Sequence, residues 1–435
     1  MCKITKENDS LQRQTENKDE DSQELQCNKN IPELRFPEFE GEWITYKLCD
    51  VVTRIIRKNK NLETKRPLTI SAKYGLIDQI EFFDKYVASK NLKGYYLLKK
   101  GEFAYNKSYS NGFPYGAVKR LDLYNQGAIS TLYICFEITN KINSNFLKIY
   151  FDSNKWNKEM YKIAVEGARN HGLLNIPIND FFNTKHLFPS ISEQEKIADF
   201  LSAIDKKIGF MEKKHTLYKN IKKYFLDNLF PHEKRDIPDL SFKEYSNIWK
   251  QIKLKQIIYK AKAGGTPKSS IKEYYNGNIP FLSINDMTNE GKYITYTEKS
   301  ITEKGLKNSS AWLVPEKSLL YSMYASVGFV SINNIPLTTS QAIFNIIFKE
   351  HVSLEFMYYY LTFYKQYLHR YIETGTQGNL NAKLIKNFKI KIPSKEEQRK
   401  IADFLSLIDT YIEINKEKVI QVKQFKKGLL QKMFC

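Results

Sequence analysis

The segment Phe188 to Phe230, FPSISEQEKIADFLSAIDKKIGFMEKKHTLYKNIKKYFLDNLF, returns near the end of the chain as IPSKEEQRKIADFLSLIDTYIEINKEKVIQVKQFKKGLLQKMF, Ile392 to Phe434. A constant offset of 204 positions aligns the two without a gap, matching Pro189 with Pro393, Gln194 with Gln398, Ile197 with Ile401 and Asp205 with Asp409. Chance does not produce this. A period of that length lies far above the ~20 to 50 residues of solenoid repeats, so the chain consists of two large units, each closed by the same element.

The repeated element reads as a long helix. Ser190 and Ser394 follow a proline and precede a glutamate by three positions, Glu193 and Glu397, which is the pattern of a capping box. Apolar residues then recur at steps of four and three: Ile197, Leu201, Ile204, Ile208 and Met211 in one copy, Ile401, Leu405, Ile408 and Ile412 in the other. Such a seam predicts a coiled coil. Both copies take an extra step of three, to Ile221 and Phe425, which locally overwinds a supercoil. At ~1.5 Å per residue the helix spans roughly 60 Å, too long for one small domain, and its natural partner is the other copy. Lysines crowd the faces off the seam, among them Lys206, Lys207, Lys213 and Lys214, then Lys416, Lys418, Lys423 and Lys426. His215 and Asn415 interrupt the seam as polar residues that are tolerated or set register, with no assigned chemistry.

A chain of 435 residues has room for two or three domains, and its formal charge of +20 with a pI near 9.3 makes a polyanion the leading partner class. Residues 1–32 carry a small acidic excess, so the basic charge belongs to the remainder. That first stretch, polar and nearly free of large apolar residues, is expected to be a disordered tail. The five cysteines are scattered without CxxC spacing, and no histidine pair has metal-ligand spacing, so neither a metal site nor a disulfide framework is expected. No apolar run reaches the ~18 residues of a membrane span and no signal peptide is visible, so a cytoplasmic protein without membrane contact is expected.

Order is expected to begin around FPEFEGEW, Phe36 to Trp43, and a similar entry recurs at Phe242 to Trp249. Between these entries and the repeated helices lie interiors of roughly 130 residues that do not align with each other. Each mixes β-type runs, such as Ser130 to Ile138 and Gln341 to Phe348, with helical stretches such as Leu354 to Ile372, and predicts an α+β domain. Pro231 to Glu244, with two prolines and many charges, reads as a linker.

No catalytic signature emerges. GGTPKSS, Gly264 to Ser270, lacks the GK[ST] spacing of a phosphate loop, and neither GxGxxG nor the Asn-Pro-Pro-aromatic run of adenine methyltransferases occurs. The polar, glycine-containing loops are better candidates, as DNA contacts. In the first interior they supply Asn106, Lys107, Tyr109, Asn111, Tyr115, Lys119 and Arg120, then Arg169, Asn170 and His171. In the second they supply Thr266, Lys268, Tyr324, Ser326, Gln341, Gln377, Asn379, Asn381 and Lys383. Arginine can bind guanine, and asparagine or glutamine adenine, bidentately in the major groove. Many such residues serve only turn geometry, and as sets before the long helices they carry more weight than singly.

The duplicated PxxxEQxKIAxFLxxID, Pro189 to Asp205 and Pro393 to Asp409, resembles the helical regions of specificity subunits of type I restriction-modification systems. FPEFEGEW, the stretch Gly264 to Met287, and TGTQGNLNAKLIKNFKIKIP, Thr374 to Pro393, look like the same family, so the resemblance runs from about Pro32 to Phe434. It implies an α+β protein of two globular target recognition domains, residues 33–187 and 246–391, separated by two long helices, residues 188–230 and 392–435, pairing as an antiparallel coiled coil through Ile197, Leu201, Ile204, Ile208, Ile401, Leu405, Ile408 and Ile412. Residues 231–245 are the linker. Each domain is expected to read one half of an asymmetric bipartite target in double-stranded DNA, the helices acting as spacer. Two modification (methyltransferase) subunits, using S-adenosylmethionine, and restriction subunits, using ATP and Mg²⁺, are the implied partners; no cofactor is expected on this chain and no catalysis by it. The stretch GARNHGLLN is a weaker form of the second interior's TGTQGNLN, which leaves the first domain's contacts the less specified. An enzyme acting on DNA through an unrecognised site, and a coiled-coil scaffold that does not read DNA, are the competing expectations.

Overall fold

The computed structural model describes residues 30–85, 87–89, 91–164, 174–245, 248–371 and 380–435, so nearly all of the expected tail lies outside the described residues. The chain divides into two compact units. Unit 1 takes the described residues up to Met211 together with Lys418–Cys435, and unit 2 is Glu212–Glu417. The division cuts both repeated helices, Ile191–Asn228 and Lys395–Lys432, so that each unit owns one half of each.

Within each unit the helix halves run antiparallel. In unit 1 Lys426 meets Asp205 at 2.6 Å, while Leu429, Met433 and Phe434 join the core that holds Ile197 and Leu201. In unit 2 Tyr218 faces Tyr411, Lys222 pairs with Asp409 at 2.5 Å and the Phe225 ring meets Phe404 edge-on, the partner number falling as the residue number rises. Ile401, Leu405, Ile408 and Ile412 are buried in the unit 2 core; in unit 1 Ile208 is buried and Ile204 half-buried.

The interiors, which share no alignable sequence, share a topology. Unit 1 has a four-stranded sheet in the order Val52–Arg54, Ile134–Ile138, Phe103–Asn106, Ala117–Arg120. Unit 2 repeats it as Ile258–Ala263, Ile343–Phe348, Leu319–Ser322, Val330–Asn333, adding the short strand Tyr293–Ile294. A second sheet in each unit contains one parallel pairing, Pro67–Ser71 with Gln126–Ile129 and Tyr275–Leu282 with Thr338–Thr339. The first sheet of each unit is buried on both faces, which period-two alternation sorts. Phe103, Tyr105, Val118, Ile134 and Phe136 enter one core, and Ala104, Ala117 and Cys135 the other. In unit 2 Leu319, Tyr321, Val330, Phe344 and Ile346 face one core, and Leu320 and Ile343 the other.

The repeated helix start is a docking fixture. Ser190 Oγ and Ser394 Oγ accept from the backbone N–H of Glu193 and Glu397, the serine half of a capping box. The glutamates turn elsewhere, because a buried tryptophan from the unit entry claims each carboxylate: Trp43 Nε1 donates to Glu193 at 3.3 Å and Trp249 Nε1 to Glu397 at 3.1 Å. Gln194 and Gln398 bond the backbone N–H of Asn143 and Ser353, the residues that cap helices Ser144–Asp152 and Leu354–Tyr364, at 2.8 and 2.9 Å. Lys196 and Lys400 reach Glu38 and Glu244. The repeated E-Q-x-K therefore locks entry strand, domain helix and long helix together, twice.

The proline-rich segment after the central helix is fastened down in unit 2. The buried Lys391 ammonium donates to the carbonyls of His232, Glu233 and Arg235 and pairs with Asp236 at 3.1 Å. His232 Nδ1 meets Tyr367 Oη at 2.8 Å.

Candidate nucleic-acid interface

In unit 2 the candidate loops are tied to one another through backbone bonds. Gly264 N donates to Ile343 O and Gly265 N to Thr339 O, each at 2.9 Å. Met323 N donates to Ala342 O at 2.8 Å, and Leu380 N to Met323 O at 3.0 Å. Four segments remote in sequence thus form one cluster. The two glycines are dictated by close backbone approach: a β-carbon on Gly264 would stand 2.2 Å from Thr339 O, and one on Gly265 2.4 Å from Ala311 N.

On this cluster the hydroxyl of Thr266 bonds the Gln341 side chain, so these two candidates act as a pair. Lys268, Tyr324, Ser326 and Lys383 are exposed. Asn381 has a local duty, its Oδ1 accepting from Leu384 N at 2.9 Å to cap helix Ala382–Lys386. Gln377 and Asn379 lie outside the described residues.

In unit 1 the connection between strands Phe103–Asn106 and Ala117–Arg120 projects the candidates. Ser110 and Phe113 bond each other's backbone, placing Asn111 and Gly112 at the tip. Gly116, at φ +78°, would put a β-carbon 2.0 Å from Asn106 O, so glycine is required there. Tyr109 and Asn111 are exposed and Tyr115 is half-buried. Asn106 Oδ1 accepts from Ser108 N at 3.1 Å, holding the start of the connection. Lys107 Nζ points to Ile176 O at 3.5 Å, its pKa lowered by burial, and Lys107 O accepts from Leu174 N at 2.8 Å.

Lys119 and Arg120 are engaged inside the unit. Lys119 Nζ pairs with Asp152 at 2.6 Å, and Arg120 bonds Asp122 at 2.6 Å, Ser144 at 2.8 Å and Asn145 at 2.9 Å, fixing the helix Ser144–Asp152 to the sheet. Burial opposes ionisation of Asp122, but Lys148 and Arg120 outweigh it and lower its pKa. Arg169, Asn170 and His171 lie outside the described residues.

Two exposed aromatic surfaces were not singled out from sequence. Tyr74, Phe82 and Phe83 cluster in unit 1, with Phe82 and Phe83 centroids 4.9 Å apart. In unit 2 Tyr259 is exposed on the strand Ile258–Ala263, beside Lys260, whose ammonium sits 4.8 Å from the centre of the Trp312 ring. Period-two reading of IYKAKA could have exposed the second; the first needed the helix Gln79–Phe83 to fold back on Tyr74. Among the described residues no group of three or more His, Cys, Asp or Glu could hold a metal ion, and no helix is long and apolar enough to cross a membrane.

Two units of one topology, carrying different polar loop clusters and each holding one half of each long helix, define a duplicated architecture. Residues 247–424 match the type I restriction modification DNA specificity domain. Over 175 residues the chain is 39% identical to the type I restriction enzyme MjaIX specificity subunit of Methanocaldococcus jannaschii, covering 39% of this chain and 40% of that relative. It is 25% identical over 318 residues to the MjaVIII specificity subunit of the same organism, covering 70% of this chain and 73% of that one. The fold is similar to the S subunit of a type I restriction-modification system from M. genitalium, with a TM-score of 0.54 and 16% identity over 93% of this chain and 99% of that one. A chain solved to describe assembly and conformational transition of a type I system gives a TM-score of 0.57 and 18% identity, covering 91% of this chain and 98% of its own. At residues 247–424 the chain carries a type I restriction modification DNA specificity domain, and the aligned region spans 40% of the MjaIX subunit's length.

Proposed function

We propose that this chain is the DNA-specificity subunit of a type I restriction-modification complex, each unit reading one half of an asymmetric bipartite target while the paired helices set the half-site spacing. The observation that carries this reading is one scaffold used twice with different loops. Thr266 and Gln341 stand as a bonded pair on unit 2, and Tyr109 and Asn111 stand exposed on the connection in unit 1, Asn111 at its tip. A shared topology with unlike base-reading loops is what two unlike half-sites require. The chain itself is taken to be non-catalytic and to bind no cofactor, with S-adenosylmethionine, ATP and Mg²⁺ left to partner subunits.

Modification subunits would dock on the long helices. Off the seam, unit 1 exposes Phe210 and Ile420, and unit 2 exposes Leu217, Tyr224, Leu407, Tyr411 and Ile414; Phe425, expected on the seam, is exposed as well. Large exposed apolar side chains beside lysines favour helical partners over water. The docking surface is therefore read as apolar rows flanked by lysines rather than as lysine faces alone.

Methylation mapping in cells carrying this chain and its modification subunits should return one bipartite motif with an unread spacer. Exchanging residues 52–184 for another such interior should change one half of that motif only. A contiguous motif, or one indifferent to the exchange, would sink the reading.

A further inference from the structure

Tyr105 and Tyr321 hold the same station in the two units. Tyr105 lies opposite Val118 on one side and Ile134 on the other, and Tyr321 opposite Val330 and Phe344. Both are fully buried. Each strand runs into a connection that ends in a glycine two residues before the facing valine, Gly116 at φ +78° and Gly328 at φ +75°. In unit 1 the Tyr105 hydroxyl donates to the carbonyl of Tyr115, the residue just before that glycine, at 2.6 Å. The residue in that place in unit 2 is Val327.

The Tyr321 hydroxyl, in contrast, has no hydrogen-bond partner among the described residues. It is not remote from the connection, since a β-carbon on Gly328 would lie 3.5 Å from it. The unit 2 connection, residues 323–327, is shorter than residues 107–115 and is wound tight: Val327 N donates to Ala325 O at 2.5 Å, and Ala325 takes φ +55°. A buried hydroxyl without an acceptor is unfavourable and needs an explanation. Burial raises the Tyr321 pKa, so the group stays a proton donor. The same connection carries the exposed Tyr324 and Ser326.

We propose that Tyr321 is a positioning residue for DNA recognition: when residues 323–327 engage a half-site, the Val327 carbonyl turns onto the Tyr321 hydroxyl and locks the connection as Tyr115 is locked on Tyr105. This rests on the reading of unit 2 as a DNA reader. The bond forms only in the engaged state, so its free energy adds to specific affinity and not to the stability of the free protein. Unit 1 already has its lock; unit 2 acquires one on binding.

The test uses the chain assembled with its modification subunits and a duplex bearing the mapped target. Tyr321→Phe should leave the melting temperature of the free protein unchanged or raised and weaken cognate binding about 5- to 10-fold, the worth of one hydrogen bond. Its binding to a duplex altered in the half-site read by unit 2 should match wild type. Tyr105→Phe should lower the melting temperature of the free protein. A structure of the DNA complex should place Tyr321 Oη within hydrogen-bonding distance of Val327 O. Cognate affinity equal to wild type in Tyr321→Phe, a melting loss like that of Tyr105→Phe, or an unpaired hydroxyl in the complex each overturns the inference while leaving the DNA reading intact. If wild type fails to distinguish its target from a scrambled duplex, both fall.

Discussion

Glu193 and Glu397 occupy the same position in the two helix starts and accept from equivalent tryptophans, yet their charges are held differently. Arg35 grips Glu193 through Nε and Nη2, both at 2.8 Å, and its own pKa is raised by that bond. Glu397 has Trp249 and raised pKa, burial outweighing the tryptophan bond. Removing one partner of a buried pair is costly, whereas neutralising a poorly compensated carboxylate is not. Glu193→Gln should therefore destabilise unit 1 by roughly 2–4 kcal/mol, and Glu397→Gln should change stability by less than about 0.5 kcal/mol or raise it, since the amide oxygen still accepts from Trp249. For the pH dependence, a carboxyl whose folded pKa is raised holds its proton better in the folded state. Its stabilising contribution is complete below the unfolded pKa of about 4.3 and is lost as pH rises through the folded value. Urea titrations of wild type and Glu397→Gln should converge in acid and separate in favour of the variant toward neutrality.

The two helices carry one ion pair at the same repeat position in each unit, Asp205 with Lys426 and Asp409 with Lys222. The second is embedded in a network. The Tyr359 hydroxyl donates to Asp409 at 2.5 Å, and Lys292 bonds Tyr359 and Ser406 at 2.8 and 3.1 Å with Asp409 at 4.0 Å. Burial pushes the Lys292 pKa down to about 8, with Asp409 holding it up. Asp409→Asn would leave Lys222 and Lys292 facing each other with only the weaker influence of Glu355 on Lys292 as counter-charge. It should cost about 2–3 kcal/mol, against less than about 1 kcal/mol for Asp205→Asn, whose carboxylate is half exposed. Chemical denaturation of the two variants measures the difference. Sequence periodicity located the helices and their seam; it could not assign Lys292, far away in the chain, as the third member of a helix-pair network.

For the whole molecule, the proposed function makes the length of the helix pair the determinant of half-site spacing. Deleting one heptad from both copies, Ile208 to Lys214 and Ile412 to Lys418, should shorten the unread spacer or abolish methylation while leaving the half-site sequences unchanged, as methylation mapping would read. Helix identity and copy number were legible from the chain alone because they depend on spacings of three and four residues and on a repeated string, whereas Phe425, expected on the seam, is exposed. The shared topology of the interiors was not legible. Strand partners such as Phe103 with Phe136, or Tyr321 with Phe344, lie far apart in sequence and are chosen by packing that many side chains satisfy, so two unlike sequences reach one arrangement. The same reason separates the candidate residues. Residue type made Lys119, Arg120 and Tyr109 equal candidates, but only the folded chain brings Asp152 to Lys119 and Ser144 and Asn145 to Arg120, and leaves Tyr109 facing solvent. The sequence by itself determined the duplicated frame and its helices, through local periodicity; tertiary structure decided which polar side chains are spent on holding the fold, because ion pairs and hydrogen bonds are settled by distance in space.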